Sequence, residues 1–194
     1  MRLLFDHQIF WMQQYGGISR YYVELIERLR HHPGVDPRIS MWYSQNTHLT
    51  ESNLITDGLV PSCPLSYGAM QWAKKTTGHD LARRLHEKRS IKALKQKNYD
   101  LFHPTYYRPY FLEHLDGRPF AVTVYDMIHE LFPQMFGKND PTSERKRILV
   151  DRADKLIAIS DSTKNDLVRI CGVAPSKVEI VHLASSLNPD RGAP

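Results

Sequence analysis

The sequence predicts an α/β fold, an open, doubly wound parallel sheet of six to seven strands in a single domain. Two observations predict it. Short β-branched or apolar runs alternate with amphipathic helical stretches along the chain. Glycine, proline and aspartate fall at the joints between them. The length of 194 residues is enough for a full hydrophobic core.

The elements follow in order. Arg2 to Asp6 reads as a short buried strand, and a loop then runs to Gly16-Gly17. From Ile18 the pattern is helical, with Ile18, Tyr22, Leu25 and Leu29 on one face and Tyr21 and Ile26 beside it. His32-Pro33-Gly34 ends that helix, and Arg38 to Tyr43 is the next strand. Strand, helix, strand is the signature of a parallel crossover. Ser44 to Tyr67 reads mainly as loop, with short strand pieces at Leu54-Ile55 and Leu59-Val60. Ala69 to Lys97 has helical composition, buries Leu81, Leu85, Ile91 and Leu94, and is kinked or divided at Gly78.

Asp100 to His103 and Phe120 to Tyr125 are strands. Asp140-Pro141 opens a helix that runs to about Arg152. Lys155 to Ile159 is a strand, followed by a helix capped by Ser160, Asp161 or Ser162 and stopped by Gly172. Val178 to His182 is the last strand. The domain is expected to span 1–187, with 188–194 as a breaker-rich linker stub.

Composition narrows the function. Hydrophobic residues make up 41% and charged residues 24%, which excludes disordered and collagen-like classes. No apolar run approaches the roughly 18 residues of a membrane span, and the N-terminus lacks a signal-peptide pattern. Cys63 and Cys171 cannot make a disulfide framework, so a reducing, cytoplasmic location is expected. The net charge of +5 is local. Met70 to Asn98 holds nine basic residues against two acids, so the remainder is slightly acidic. That argues against an evenly basic nucleic-acid binder. The segment reads either as a solvated helix face or as a docking face for anionic lipid, through Lys74, Lys75, Arg83, Arg84, Lys88, Arg89 and Lys92.

In a sheet of this kind ligands bind beyond the carboxyl ends of the strands. The residues there are His7 and the Gly16-Gly17 turn, His103, Tyr125-Asp126, and Ser160 to Ser162. Two glycines before a helix suit an anion such as phosphate, although a plain turn explains the same residues. Arg20, in the first turn, opposes the helix dipole and so needs an anionic ligand or a carboxylate partner. Asp126 can accept a hydrogen bond from a substrate hydroxyl, or it can cap a turn. His103 is as consistent with a structural role as with a ligand contact. Ser160 to Lys164 can bind an anion or cap a helix. There is no G-x-S-x-G elbow and no H-E-x-x-H, since position 133 is proline. There is no D-x-D pair for a metal–diphosphate complex, and no metal and no cofactor is assigned.

Taken together the segments resemble a known family. They are Asp6-x-x-Ile9-Phe10, Tyr15-Gly-Gly-Ile-Ser-Arg-Tyr21, Thr123-Val-Tyr-Asp-Met-Ile-His-Glu-Leu-Phe-Pro133, Ala153 to Leu167, and Gly172-Val-x-x-x-Lys177-Val-Glu-Ile-Val-His182. In this order they are similar to the N-terminal half of group 1, family four glycosyltransferases. The resemblance covers Arg2 to about Leu187. It implies a Rossmann-like domain of GT-B type, acting in a retaining, metal-independent transfer from a nucleotide sugar to a cell-surface glycan or lipid-linked acceptor. It implies that Gly16, Gly17 and, less directly, Arg20 lie near the donor diphosphate and the acceptor. It implies contact of Asp126 with the transferred sugar. The family's histidine before that aspartate is Tyr125 here, so Tyr125 or His129 takes its place. Ser160 and Thr163 match a Ser-x-x-Thr element at the cleft. Most of the donor site belongs to a C-terminal domain absent from this sequence, so the chain alone is expected to be inactive.

The resemblance further implies peripheral attachment to the inner membrane face. A stand-alone, non-catalytic module for a glycan or phosphorylated ligand is the alternative. A generic nucleotide-binding domain is disfavoured, because no acid ends the second strand near Tyr43 to hold a ribose.

Overall fold

Leu3, Leu4 and Phe5 of the first strand are all buried, as a strand with neighbours on both edges and both faces requires. This strand, β1 (Arg2–Phe5), pairs in parallel with β2 (Asp36–Ile39) on one edge and β3 (Leu101–His103) on the other. The structure is a computed structural model and describes residues 1–56, 58–59 and 83–184. A second parallel ladder runs β4 (Ala121–Val124), β5 (Lys155–Ala158), β6 (Val178–Ile180). One parallel bridge, Phe102 to Phe120, joins the ladders, with Phe102 N–H donating to the Pro119 carbonyl at 3.1 Å. Among the described residues the order is therefore β2-β1-β3-β4-β5-β6. It reverses between β1 and β3, which makes that pair the switch point.

The helices are α1 (Gln8–Met12), α2 (Gly17–Arg30), α3 (Thr47–Thr50), α4 (Asn53–Thr56), α5 (83–95 of the described residues), α6 (Ile128–Leu131), α7 (Thr142–Arg152) and α8 (Asp161–Cys171). Tyr22, Val23 and Ile26 of α2 are buried, and Ile18, Leu25 and Leu29 pack beside them. Gly172 ends α8 in the left-handed region at φ +69°, where glycine costs least. No described helix is long and apolar enough to cross a membrane.

Four expectations shift. The second strand is Asp36–Ile39, not Arg38 to Tyr43. Pro37 stands inside it, which only an edge strand tolerates. The stretch after Ser44 holds two single-turn helices, not loop with strand pieces. Asn46 caps the first by accepting the Leu49 N–H at 3.1 Å, and Leu54-Ile55 lies in the second. Helix α5 is turned differently from its apolar pattern. Leu85 is 50% exposed, while His86, Ser90 and Leu94 form the buried face. The last strand is shorter, Val178–Ile180, so Val181 and His182 lie beyond it. Lys74, Lys75, Gly78, Leu81, Val60 and the proposed stub 188–194 lie outside the described residues.

Candidate functional site

The carboxyl end of β1 leads straight into a buried carboxylate. Asp6 Oδ1 accepts from Thr105 N at 2.9 Å, Thr105 Oγ1 at 2.7 Å and Gln8 N at 3.3 Å. Its Oδ2 accepts from Gln8 Nε2 at 2.7 Å and the Tyr110 hydroxyl at 3.0 Å. Burial pushes the Asp6 pKa up, and the bonds from Thr105, Gln8 and Tyr110 offset part of that. Gln8 also clamps the next loop: Arg108 N–H donates to Gln8 Oε1 at 2.8 Å, and Gln8 Nε2 donates to the Arg108 carbonyl at 3.3 Å.

Histidines fill the rest of this floor. His7 and His86 stack at 5.4 Å, and burial holds both down to a pKa of about 3. His7 Nδ1 lies 3.0 Å from Ser90 Oγ, which donates to the Ser40 carbonyl. His103 is also buried, its Nε2 3.0 Å from Thr123 Oγ1 and 3.4 Å from the Tyr22 hydroxyl. Burial holds its pKa down at about 4. His103 thus ties β3 to β4 and α2 from within the core. The floor of the switch point is thus filled by buried side chains.

The glycine turn borders the same edge. Gly16 caps α2 in extended backbone at φ 177°, so it is not the conformation that calls for glycine. A Cβ at Gly16 would collide with the Gln13 carboxamide, whereas one at Gly17 would meet nothing. Gln13 Oε1 accepts from Ser19 N at 3.3 Å and so takes up one donor of the helix start. Arg20 is exposed on the first turn. Tyr21 joins this turn to β4, its hydroxyl 3.5 Å from Thr123 Oγ1 and its ring edge-on to Tyr125 at 5.8 Å.

Asp126 follows β4 and has a side chain 45% exposed. Its Oδ1 accepts from Ile128 N at 3.1 Å, an Asx turn that leaves the other oxygen available. Beneath it lies Lys146, with a side chain only 2% exposed. Lys146 Nζ donates to the Asp126 carbonyl and to Glu130 Oε2, both at 2.9 Å, and lies 5.4 Å from the Tyr107 ring. Tyr125 turns into the core. His129 stacks on Phe136 at 3.8 Å with Nε2 3.7 Å from Asp140 Oδ2. Ser160 caps α8 by accepting from Thr163 N at 3.1 Å, and Thr163 Oγ1 donates to the Tyr125 carbonyl at 3.3 Å. The cap therefore fixes the end of β4 as well as its own helix.

The basic segment divides. Arg84, Lys88, Lys92 and Lys95 form an exposed stripe along α5. Arg83 pairs with Glu87 at 2.9 Å, and Arg89 lies 4.0 Å over the Trp42 ring. A cavity of about 520 Å³ beside β2, lined by Arg38, Arg89 and Lys92, meets the carboxyl-edge floor only at Ser40. Among the described residues no three His, Cys, Asp or Glu side chains converge as metal ligands do.

Sequence reading misses Asp6, Gln8, Glu87, Arg108 and Lys146 as site builders. Lys146 leaves a trace, standing at i−3 and i−4 from the buried Leu149 and Val150, where a charge is out of place. Asp6 leaves another, as a carboxylate ending a buried strand.

Comparison with known proteins agrees with this fold. The sequence profile described as Glycosyltransferase Family 4 matches residues 15–184. No curated protein sequence matches the chain. Anabaena HepE, solved with UDP, superposes with a TM-score of 0.53 at 13% identity, covering 94% of this chain and 44% of HepE. UDP-GlcNAc 2-epimerase from Neisseria meningitidis, solved with UDP-GlcNAc, gives 0.54 at 10% identity, covering 93% and 46%. The chain thus spans less than half the length of each, and at these identities the likeness is one of fold. With the profile spanning most of its length, the chain belongs to glycosyltransferase family 4.

Proposed function

We propose that this chain is the acceptor-side domain of a retaining, metal-independent glycosyltransferase. It moves a hexose from a nucleotide sugar to a cell-surface glycan or a lipid-linked acceptor. The observation that carries the reading is the pose of Asp126. It stands at the end of a central strand, half-exposed, with its backbone held by a buried lysine. A carboxylate so fixed can accept a hydrogen bond from a sugar hydroxyl without first being ordered. The N-terminus of α2, beside Gly16, Gly17 and Arg20, offers a partial positive charge to the departing diphosphate. Tyr125 or His129, with Ser160 and Thr163, shapes the same edge. The UDP and the glucose in the HepE structures, and the UDP-GlcNAc in the epimerase, support a nucleotide-sugar donor.

Transfer needs charge stabilisation at the diphosphate as well as a placed acceptor. A second, donor-binding domain supplies the former, so the chain alone is inactive. The test is Asp126→Ala in the full-length gene product, assayed against a panel of nucleotide sugars. Transfer should be abolished with thermal stability nearly unchanged. Undiminished turnover, or turnover by residues 1–194 alone, would overturn the reading. The exposed stripe on α5 further supports peripheral attachment to the cytoplasmic face of a membrane. Sedimentation with anionic vesicles that weakens with salt and with Lys88→Glu/Lys92→Glu is the expected result.

A further inference from the structure

The loop after β3 holds one surface arginine with unusual firmness. Both backbone groups of Arg108 are clamped by the buried Gln8, which the buried Asp6 fixes in turn. The Arg108 side chain reaches Glu87 Oε1 through Nε at 3.0 Å and Nη2 at 2.8 Å. Arg83 Nη1 meets the same oxygen at 2.9 Å. One carboxylate oxygen therefore carries two guanidinium groups, and the buried network of Asp6 and Gln8 ends at this point.

A third guanidinium belongs to the same edge of the sheet. Arg145 lies in the first turn of α7, where a cation opposes the helix dipole. The loop after β3 approaches α7 through Tyr107, whose ring lies 5.4 Å from the ammonium of Lys146, the residue after Arg145. Arg108 and Arg83 both act on Arg145 by repulsion, while Asp140 and Glu144 act on it from its own end of the helix. Asp140 is itself held by Thr142 N–H at 2.8 Å. Topology puts all three arginines at one edge. Arg108 follows β3, Arg83 is at the described start of the helix entering β3, and Arg145 opens the helix leaving β4. That edge is the carboxyl side of the switch point, where open α/β sheets bind ligands.

We propose that Arg108, Arg83 and Arg145 form a docking site for a phosphate or diphosphate group carried by the acceptor. Guanidinium forks match phosphate oxygens in pairs, and a loop already ordered by Gln8 loses little freedom on binding. Glu87 holds two of the forks in position and competes with the ligand for them. The identity of the carrier rests on the acceptor-side reading above; anion binding does not.

The experiment is calorimetric titration of the chain with inorganic diphosphate at low salt. Arg108→Gln and Arg145→Gln should each lower affinity at least tenfold while the thermal midpoint is kept. Glu87→Gln should raise affinity several-fold, which a merely structural salt bridge would not do. Arg145→Gln changes a partly solvated side chain and carries the test should Arg108→Gln fail to fold. Competition then separates the sources. Displacement by a hexose 1-phosphate names a soluble sugar phosphate, and Arg108-dependent binding to phosphatidic acid vesicles names a membrane-borne one. Diphosphate affinity indifferent to the arginine variants, or lost only with Gly16→Ala, overturns the proposal. Because no turnover is read, failure of the transferase reading leaves these measurements standing.

Discussion

The two ladders end differently at their carboxyl edges. Beyond β1 and β3 the edge is sealed: Asp6, Gln8, Thr105 and Tyr110 satisfy one another, and three histidines lie neutral beneath them. Beyond β4 and β5 the edge is open, with Asp126 half-exposed and α8 held by a serine cap. The difference separates two tasks. A sealed edge gives a rigid floor that positions loops such as the one bearing Arg108. An open edge leaves groups that a substrate can touch.

Acid should break the sealed edge first, with the largest effect. His7 and His86 hold pKa values of about 3 and His103 of about 4, against about 6.5 in an unfolded chain. The unfolded state thus takes up protons first as pH falls. Stability should be intact above pH 6.5 and decline toward pH 4, by up to about 4 kcal/mol per pH unit. Asp6, with its raised pKa, has the opposite sign: its native state binds the proton first, so it adds stability as pH falls toward the ordinary carboxylate value. Urea unfolding at stepped pH checks the net slope, and constant stability between pH 7 and 5 would mean the floor is not sealed.

Asp6→Ala comes next. It strands the donors of Thr105, Gln8 and Tyr110 in a buried place and should cost about 3–5 kcal/mol in urea unfolding. A loss below about 1 kcal/mol would erase the contrast between the edges. Lys146→Met should cost less, about 2–3 kcal/mol, because Glu130 can turn toward water. Its signature in hydrogen exchange should be local, faster at 126–131 and unchanged in β1. Ser160→Ala should cost about 1 kcal/mol, the usual worth of a cap. Asp126→Ala should fall below that, since it removes one Asx bond at an exposed turn. If Asp126→Ala destabilises as much as Asp6→Ala, Asp126 belongs to the scaffold.

Much of the open half is legible in the sequence. Ala121–Val124 is a run of small and β-branched residues that only a buried strand explains. Gly172 stops α8 as its sequence predicts, and of the three candidate caps, Ser160, Asp161 and Ser162, it is Ser160 that accepts the helix-start N–H. The sealed half is less legible, because its organising contacts span about a hundred positions. Nothing near Asp6 announces Thr105 or Tyr110. Helix α5 misleads for a related reason: its buried face carries His86 and Ser90, so apolar periodicity points Leu85 the wrong way. Pro37 hides an edge strand by looking like its boundary. At the candidate site, the positions of Asp126, Ser160 and the glycine turn can be read, while the supports beneath them, Lys146 and Gln8, cannot.

Gln13 adds a consequence for how the glycine turn behaves over time. Its carboxamide oxygen occupies a helix-start donor, Ser19 N–H, at 3.3 Å. The same carboxamide lies against Gly16, so the turn is held in shape by the chain itself. On the reading proposed above, an anion oxygen at that donor exchanges one neutral bond for a charge-assisted one. On that reading Gln13 is the side chain that rotates aside, and the backbone of the turn stays as it is.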